Sequence, residues 1–113
     1  MRFLDSIVRA TRRMFARWRG DLFVIRNEGD TLPALIPARR VIQMIDQGGE
    51  WSVGFMCPCG CGESIELLLP EFIEPRWSLT LDEIGRPTLT PSVWRNEGCR
   101  SHFFVRGGRV IWV

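Results

Sequence analysis

The stretch Trp51-Ser52-Val53-Gly54-Phe55-Met56-Cys57-Pro58-Cys59-Gly60-Cys61-Gly62-Glu63-Ser64-Ile65-Glu66-Leu67-Leu68-Leu69-Pro70 decides how this chain is built. From Trp51 to Phe55 large apolar side chains alternate with small or polar ones, the period of a strand with one buried face. From Ser64 to Leu69 a second strand-forming run leads away, and Pro70, which has no amide hydrogen for a ladder, stops it. Between the two runs, Cys57 to Gly62 is a turn carrying three thiols in six residues. A Cys-x-Cys pair is poorly placed for a disulfide, because neighbouring strand-like positions turn their Cβ atoms apart. Thiolates converging from a Gly- and Pro-rich turn suit a tetrahedral soft metal ion.

Cys99-Arg100-Ser101-His102 completes the set, 38 residues after Cys61. The chain has four cysteines and one histidine, and all of them lie in these two clusters. The expected ligands of one Zn²⁺ are therefore drawn from Cys57, Cys59, Cys61, Cys99 and His102. Five candidates exceed the four that one ion needs, so the count alone does not select among them. The competing reading is a set of inert reduced thiols, or one disulfide with two cysteines left over.

Other segments mark their own structure. Leu4, Ile7, Val8, Met14, Phe15 and Trp18 recur at helical spacing, largely separated by Arg2, Arg9, Arg12, Arg13, Arg17 and Arg19. This predicts an amphipathic helix over residues 2–19, ending at Gly20. Its apolar face is expected to pack on the domain or on a partner protein, with an anionic membrane surface as the less favoured alternative. Strands are expected at Leu22–Ile25, Val41–Ile45, Trp77–Leu81, His102–Arg106 and Arg109–Val113. The turn Gln47-Gly48-Gly49 precedes Trp51, and Gly107-Gly108 is a two-residue hairpin signal. Residues 33–37, bounded by prolines, read as a linker. The fold class that results is α+β: an N-terminal amphipathic helix, then a small antiparallel sheet or open barrel with a zinc site between two loops. Residues 1–32 hold the basic helix and first strand, and residues 33–113 the zinc-binding β domain.

The net charge of +2 is unevenly distributed. Residues 1–20 have six arginines against Asp5, hence +5, while the remainder has nine arginines against twelve acidic residues, hence −3. A body of that sign disfavours nucleic acid as a partner. All 15 basic residues are arginine, which a GC-rich genome explains most simply. No apolar run reaches the roughly 18 residues of a membrane span, and thiols gathered in metal-like clusters point to the cytoplasm.

Cys-Pro-Cys-Gly-Cys-Gly at 57–62, Thr-Leu-Thr-Pro-Ser-Val at 88–93, Cys-Arg-Ser-His-Phe at 99–103 and Gly-Arg-Val-Ile-Trp at 108–112 resemble a small bacterial and phage family, catalogued as domain-of-unknown-function family six-five-two-seven. The resemblance covers residues 33–113. Many relatives carry a histidine two residues before the first cysteine, where this chain has Phe55. The resemblance implies a bacterial ubiquitin-like pathway, with a ubiquitin-like protein or its conjugates as partner and a peptidase that processes or removes the modifier. A lysine-free chain would also escape modification by such a pathway.

The local residues allow a mechanism for that expectation. Cys61-Gly62-Glu63 places a carboxylate two residues beyond a ligand, so Glu63 is the candidate base for a zinc-activated water. Ser92 or Ser101 is the candidate donor to the oxyanion. The expected function is thus a zinc-dependent peptidase; the alternative is a non-catalytic zinc-stapled binding module presenting Trp77, Trp94 and Trp112. A cysteine nucleophile paired with His102 ranks below both, because the only histidine serves better as a ligand.

Overall fold

The computed structural model describes residues 2–113. Helix α1 (Arg2–Arg19) is followed by eight strands: β1 (Phe23–Glu28), β2 (Arg40–Asp46), β3 (Gly49–Met56), β4 (Ser64–Leu68), β5 (Ser78–Leu81), β6 (Pro87–Trp94), β7 (His102–Arg106) and β8 (Arg109–Trp112). They form two four-stranded sheets, in the orders β1-β2-β3-β4 and β5-β6-β7-β8.

The alternation in the sequence sets the core. Val53, Phe55 and Cys57 point inward from β3 and its end, as do Ile65, Leu67 and Leu69 from β4 and its end. Leu89 and Val93 of β6, with Phe103 and Val105 of β7, join the same buried cluster. The two sheets therefore share one core, and Phe55 meets Phe103 edge-on with ring centroids 6.2 Å apart. Leu32, in the loop after β1, covers part of the first sheet's other face. The Leu32 methyls lie where a Cβ on Gly54 would have to sit, which is why this strand position carries glycine. Buried polar groups are paired: Gln43 donates to Glu50 at 3.1 Å, and Ser52 to Glu66 at 2.8 Å.

Two parts of the expected architecture need correction. The sheets do not close into a barrel, and the first is mixed, because β1 runs parallel to β2 from Phe23↔Arg40 to Glu28↔Ile45. The chain between them carries no helix, yet residues 29–39 are enough to return it to the starting end of the sheet. Periodicity reports which face of a strand is buried and is silent on the direction of its neighbour.

The helix is present over the expected residues, with Gly20 in a left-handed conformation that closes its C-terminus; the Gly20 and Asp21 amides both donate to the Ala16 carbonyl. Its apolar face, however, does not pack on the domain. Leu4, Ile7, Phe15 and Trp18 are exposed, and Ala16 is the helix's buried residue. The polar side makes the attachment: Arg12 pairs with Glu83 at 2.8 Å, and Arg17 lies 6.0 Å over the Phe23 ring.

Below the helix, Asp21 is a buried carboxylate bound by Arg19 at 2.6 Å and Arg86 at 3.1 Å. Burial alone would push its carboxyl up, but the two guanidinium groups outweigh that and hold it below the usual carboxylate range. Asp82 is lowered in the same sense: burial opposes ionisation, while Arg86 and the Ile84 amide favour it. Asp21→Ala should cost about 2–3 kcal/mol, somewhat less than a fully buried pair because Arg19 and Arg86 keep partial contact with water. Lowered carboxylate pKa values add stability above the unfolded value of about 3.9, and that stability is lost as pH falls through the folded values. Urea unfolding midpoints should therefore drop below about pH 4, and the drop should be shallower in Asp21→Asn than in the wild type. Equal slopes would show that Asp21 carries none of the acid sensitivity.

Candidate functional site

Two arrangements meet at one end of the sheets. The first is the thiol cluster. Cys57 leaves β3, and its amide donates to the Glu63 carbonyl at 2.8 Å, while the Gly60 amide donates to the Cys57 carbonyl at 3.2 Å. Gly60 and Gly62 adopt φ of +87° and +85°, a backbone that wraps the turn back on itself and that bulkier residues resist. Cys99 arrives from the loop between β6 and β7. The Sγ atoms of Cys57, Cys59, Cys61 and Cys99 lie within 4.8 Å of one another, a group able to hold a metal ion. His102 does not belong to it.

Separations test the fit. Cys57 Sγ is 3.4 Å from Cys59 Sγ and 3.7 Å from Cys99 Sγ, far beyond a disulfide bond. A regular tetrahedron of sulfurs at a Zn–S distance of about 2.3 Å has edges of about 3.8 Å. The cluster thus needs little movement to accept an ion. The Ser101 hydroxyl, 3.2 Å from Cys99 Sγ, is the main cause that brings the Cys99 thiol down to about 6. The Glu63 backbone works to lower Cys61, but desolvation and the neighbouring sulfurs prevail and push it up to about 11.

Around the thiols, Arg95 binds Glu63 at 2.6 Å and reaches Cys61 Sγ at 3.7 Å. The Glu63 carboxylate in turn raises the Arg95 guanidinium's hold on its proton. Glu63 is thereby committed to an ion pair, and Ser101 to a sulfur. Arg95 had no sequence signal: nothing in its spacing marks it from the other arginines.

The second arrangement is a serine against an imidazole. Ser92 Oγ lies 3.0 Å from His102 Nε2. Both are half-buried at the surface. Strand pairing explains the meeting. Trp94 of β6 stands opposite His102 of β7, and Ser92, two residues before Trp94, shares that face as the diagonal neighbour. The step from Leu89 to Val93 on β6 is opposed only by Val105 to Phe103 on β7, so β6 bulges between Leu89 and Val93, the stretch that holds Ser92. The Trp77 indole donates to the Ser92 carbonyl at 3.3 Å and secures the bulge. The imidazole stacks on the Trp94 ring, centroids 5.0 Å apart and planes 12° from parallel. Among the described residues, the ring's side-chain hydrogen bond is to Ser92.

Of the expected site residues, the structure gathers Cys57, Cys59, Cys61 and Cys99 together, sets Ser92 and His102 as a separate pair, and leaves Glu63 and Ser101 bound elsewhere. Ser92 stands on β6, a strand absent from those expected from the sequence. Two prolines in β6 hid that strand, since proline weakens a strand assignment.

Comparison with known proteins bears on the chemistry. The family model described as bacterial ubiquitination-like system serine protease (BubE) matches residues 28–113. No curated protein and no solved structure matches the chain. The match corrects the expected zinc-dependent peptidase: the protease class in the family's description is serine. It gives no better support to a non-catalytic binding module, and it does support the association with a bacterial ubiquitin-like pathway. With three-quarters of its length spanned by that model, the chain belongs to the bacterial ubiquitination-like system serine protease family.

Proposed function

We propose that this chain is a serine protease acting on a ubiquitin-like protein or its conjugates, with Ser92 as nucleophile and His102 as general base. The observation that carries the reading is the 3.0 Å contact between Ser92 Oγ and His102 Nε2 in a chain with one histidine. Nε2 takes the hydroxyl proton as Oγ attacks the scissile carbonyl, then passes it to the departing amine. Water hydrolyses the acyl-serine ester by the same proton route in reverse. Stacking on Trp94 does the orienting that a carboxylate performs in a triad, by restricting rotation of the ring. A surface position for the pair suits an extended polypeptide tail.

The four thiols are read as a closed structural zinc site. Cys₄ coordination leaves no position for water, so the ion's part is to fix loops. One of them runs from Cys99 into β7, where His102 is the first residue, three positions after the ligand. Holding Cys99 therefore helps to hold the base.

A fluorophosphonate probe tests this directly, because it marks an activated serine and not a zinc-bound water. It should label the wild-type protein on Ser92, as read by peptide mass spectrometry, and should fail to label His102→Ala. Labelling on another serine, or cleavage of a C-terminally extended ubiquitin-like protein by Ser92→Ala at the wild-type rate, would refute the assignment.

A further inference from the structure

The helix is attached to the body by its arginine side and turns its apolar side to solvent. At about 100° per residue, Phe3, Leu4, Ile7, Val8, Met14, Phe15 and Trp18 fall in one arc of about 140° that contains no charged side chain. These side chains are between 47% and 82% exposed. All six arginines lie in the opposite arc, with Arg13 and Arg17 towards one border and Arg12 and Arg19 towards the other. Ala16, the buried residue, lies in the middle of that polar arc. The orientation is therefore the reverse of an amphipathic helix packed on its own domain.

We propose that this face lies on an anionic lipid surface. A helix of this kind sinks its apolar side to the acyl boundary while flanking arginines reach phosphate groups. Here they reach from the Arg13 and Arg17 border, since Arg12 and Arg19 pair with Glu83 and Asp21. Trp18 and Phe15, 6.0 Å apart, supply the aromatic material suited to that boundary. Charge supports the choice of occupant. Residues 1–20 carry +5 and the rest of the chain −3, so an anionic surface attracts the helix and repels the body. Two copies meeting through this face would set one +5 helix against another. The helix would lie along the surface, since no helix among the described residues is long and apolar enough to cross a membrane. The inference is independent of the protease assignment, and its test does not use cleavage.

Full-length protein is mixed with vesicles of phosphatidylcholine alone or with added phosphatidylglycerol, and sedimentation is measured. Binding to the anionic vesicles should exceed binding to the neutral ones by about tenfold or more, and should weaken as salt rises. Arg13→Gln should lower anionic binding by about fivefold, and Phe15→Ser with Trp18→Ser by more. These side chains are exposed, so thermal midpoints should match wild type. Equal binding to both vesicles, or to neither, overturns the proposal. So does a lipid-free dimer that Phe15→Ser with Trp18→Ser dissolves, which would make the face a contact between copies.

Discussion

Ser92→Ala is expected to lower kcat/KM for a C-terminally extended ubiquitin-like protein by roughly 10⁴-fold or more, with the protein still folded. The magnitude follows from removing the nucleophile while leaving substrate contacts in place. His102→Ala should cost a similar amount, and the double variant scarcely more than either, because in the proposed mechanism the two side chains share one proton transfer. Glu63→Gln provides the contrast. It weakens an ion pair with Arg95 beside the thiols and touches neither Ser92 nor His102. Its loss should stay within about tenfold, well short of the roughly 100-fold or greater loss expected for a general base. A Glu63→Gln variant as dead as Ser92→Ala would return the chemistry to the metal end of the site. Burst kinetics of acyl-enzyme formation would give separate support to a covalent intermediate.

Metal removal should have the second large effect, on stability before chemistry. A Cys₄ zinc site contributes about 10 kcal/mol or more of apparent binding free energy, which matches or exceeds the whole stability of a small domain. Chelation, or Cys57→Ser, should therefore unfold the chain or lower its melting point by tens of degrees, and cleavage should vanish with the fold. Cys57 is the most sensitive position because its side chain is also part of the shared core. Reconstitution with Cd²⁺ separates a staple from a catalyst. Thiolates accept cadmium readily, so a structural site should regain both melting point and cleavage. A fold restored without cleavage would contradict the assignment. Ligands must lose their protons to bind, and Cys61 holds its own up to about 11. Metal affinity should accordingly fall as pH falls, and binding should release protons measurable in weakly buffered solution.

The expected and observed structures diverge where direction and partnership matter. The turn at Cys57–Gly62, the Gly107-Gly108 hairpin and the helix over residues 2–19 follow from local rules of spacing, turn chemistry and capping, and each stands in the structure. The thiol cluster was legible as well, because four cysteines in two short loops have few other uses and the strands deliver both loops to one end. His102 illustrates the limit. Its spacing from Cys99 fits a ligand pair, and no local property of Cys-x2-His distinguishes a fourth ligand from a base. Register sets its neighbours: pairing Trp94 with His102 puts Ser92 diagonally beside the imidazole, on the opposite face from Phe103.

The helix teaches the same point about faces. Its periodicity established that one side is apolar, yet which side meets the body depended on Ala16, Arg12 and Arg17 finding Glu83 and Phe23. The parallel pairing of β1 with β2 belongs in this class too, since residues 29–39 could have made a loop of either sense. By itself, the sequence determined the helix, every strand except β6, their buried faces and the gathering of the four cysteines, all of which depend on neighbours within a few positions. Only the tertiary structure decided strand direction, the exposed side of the helix and the joining of Ser92 to His102. Those depend on pairings between distant segments, whose free energy is set when the two sheets close on one core.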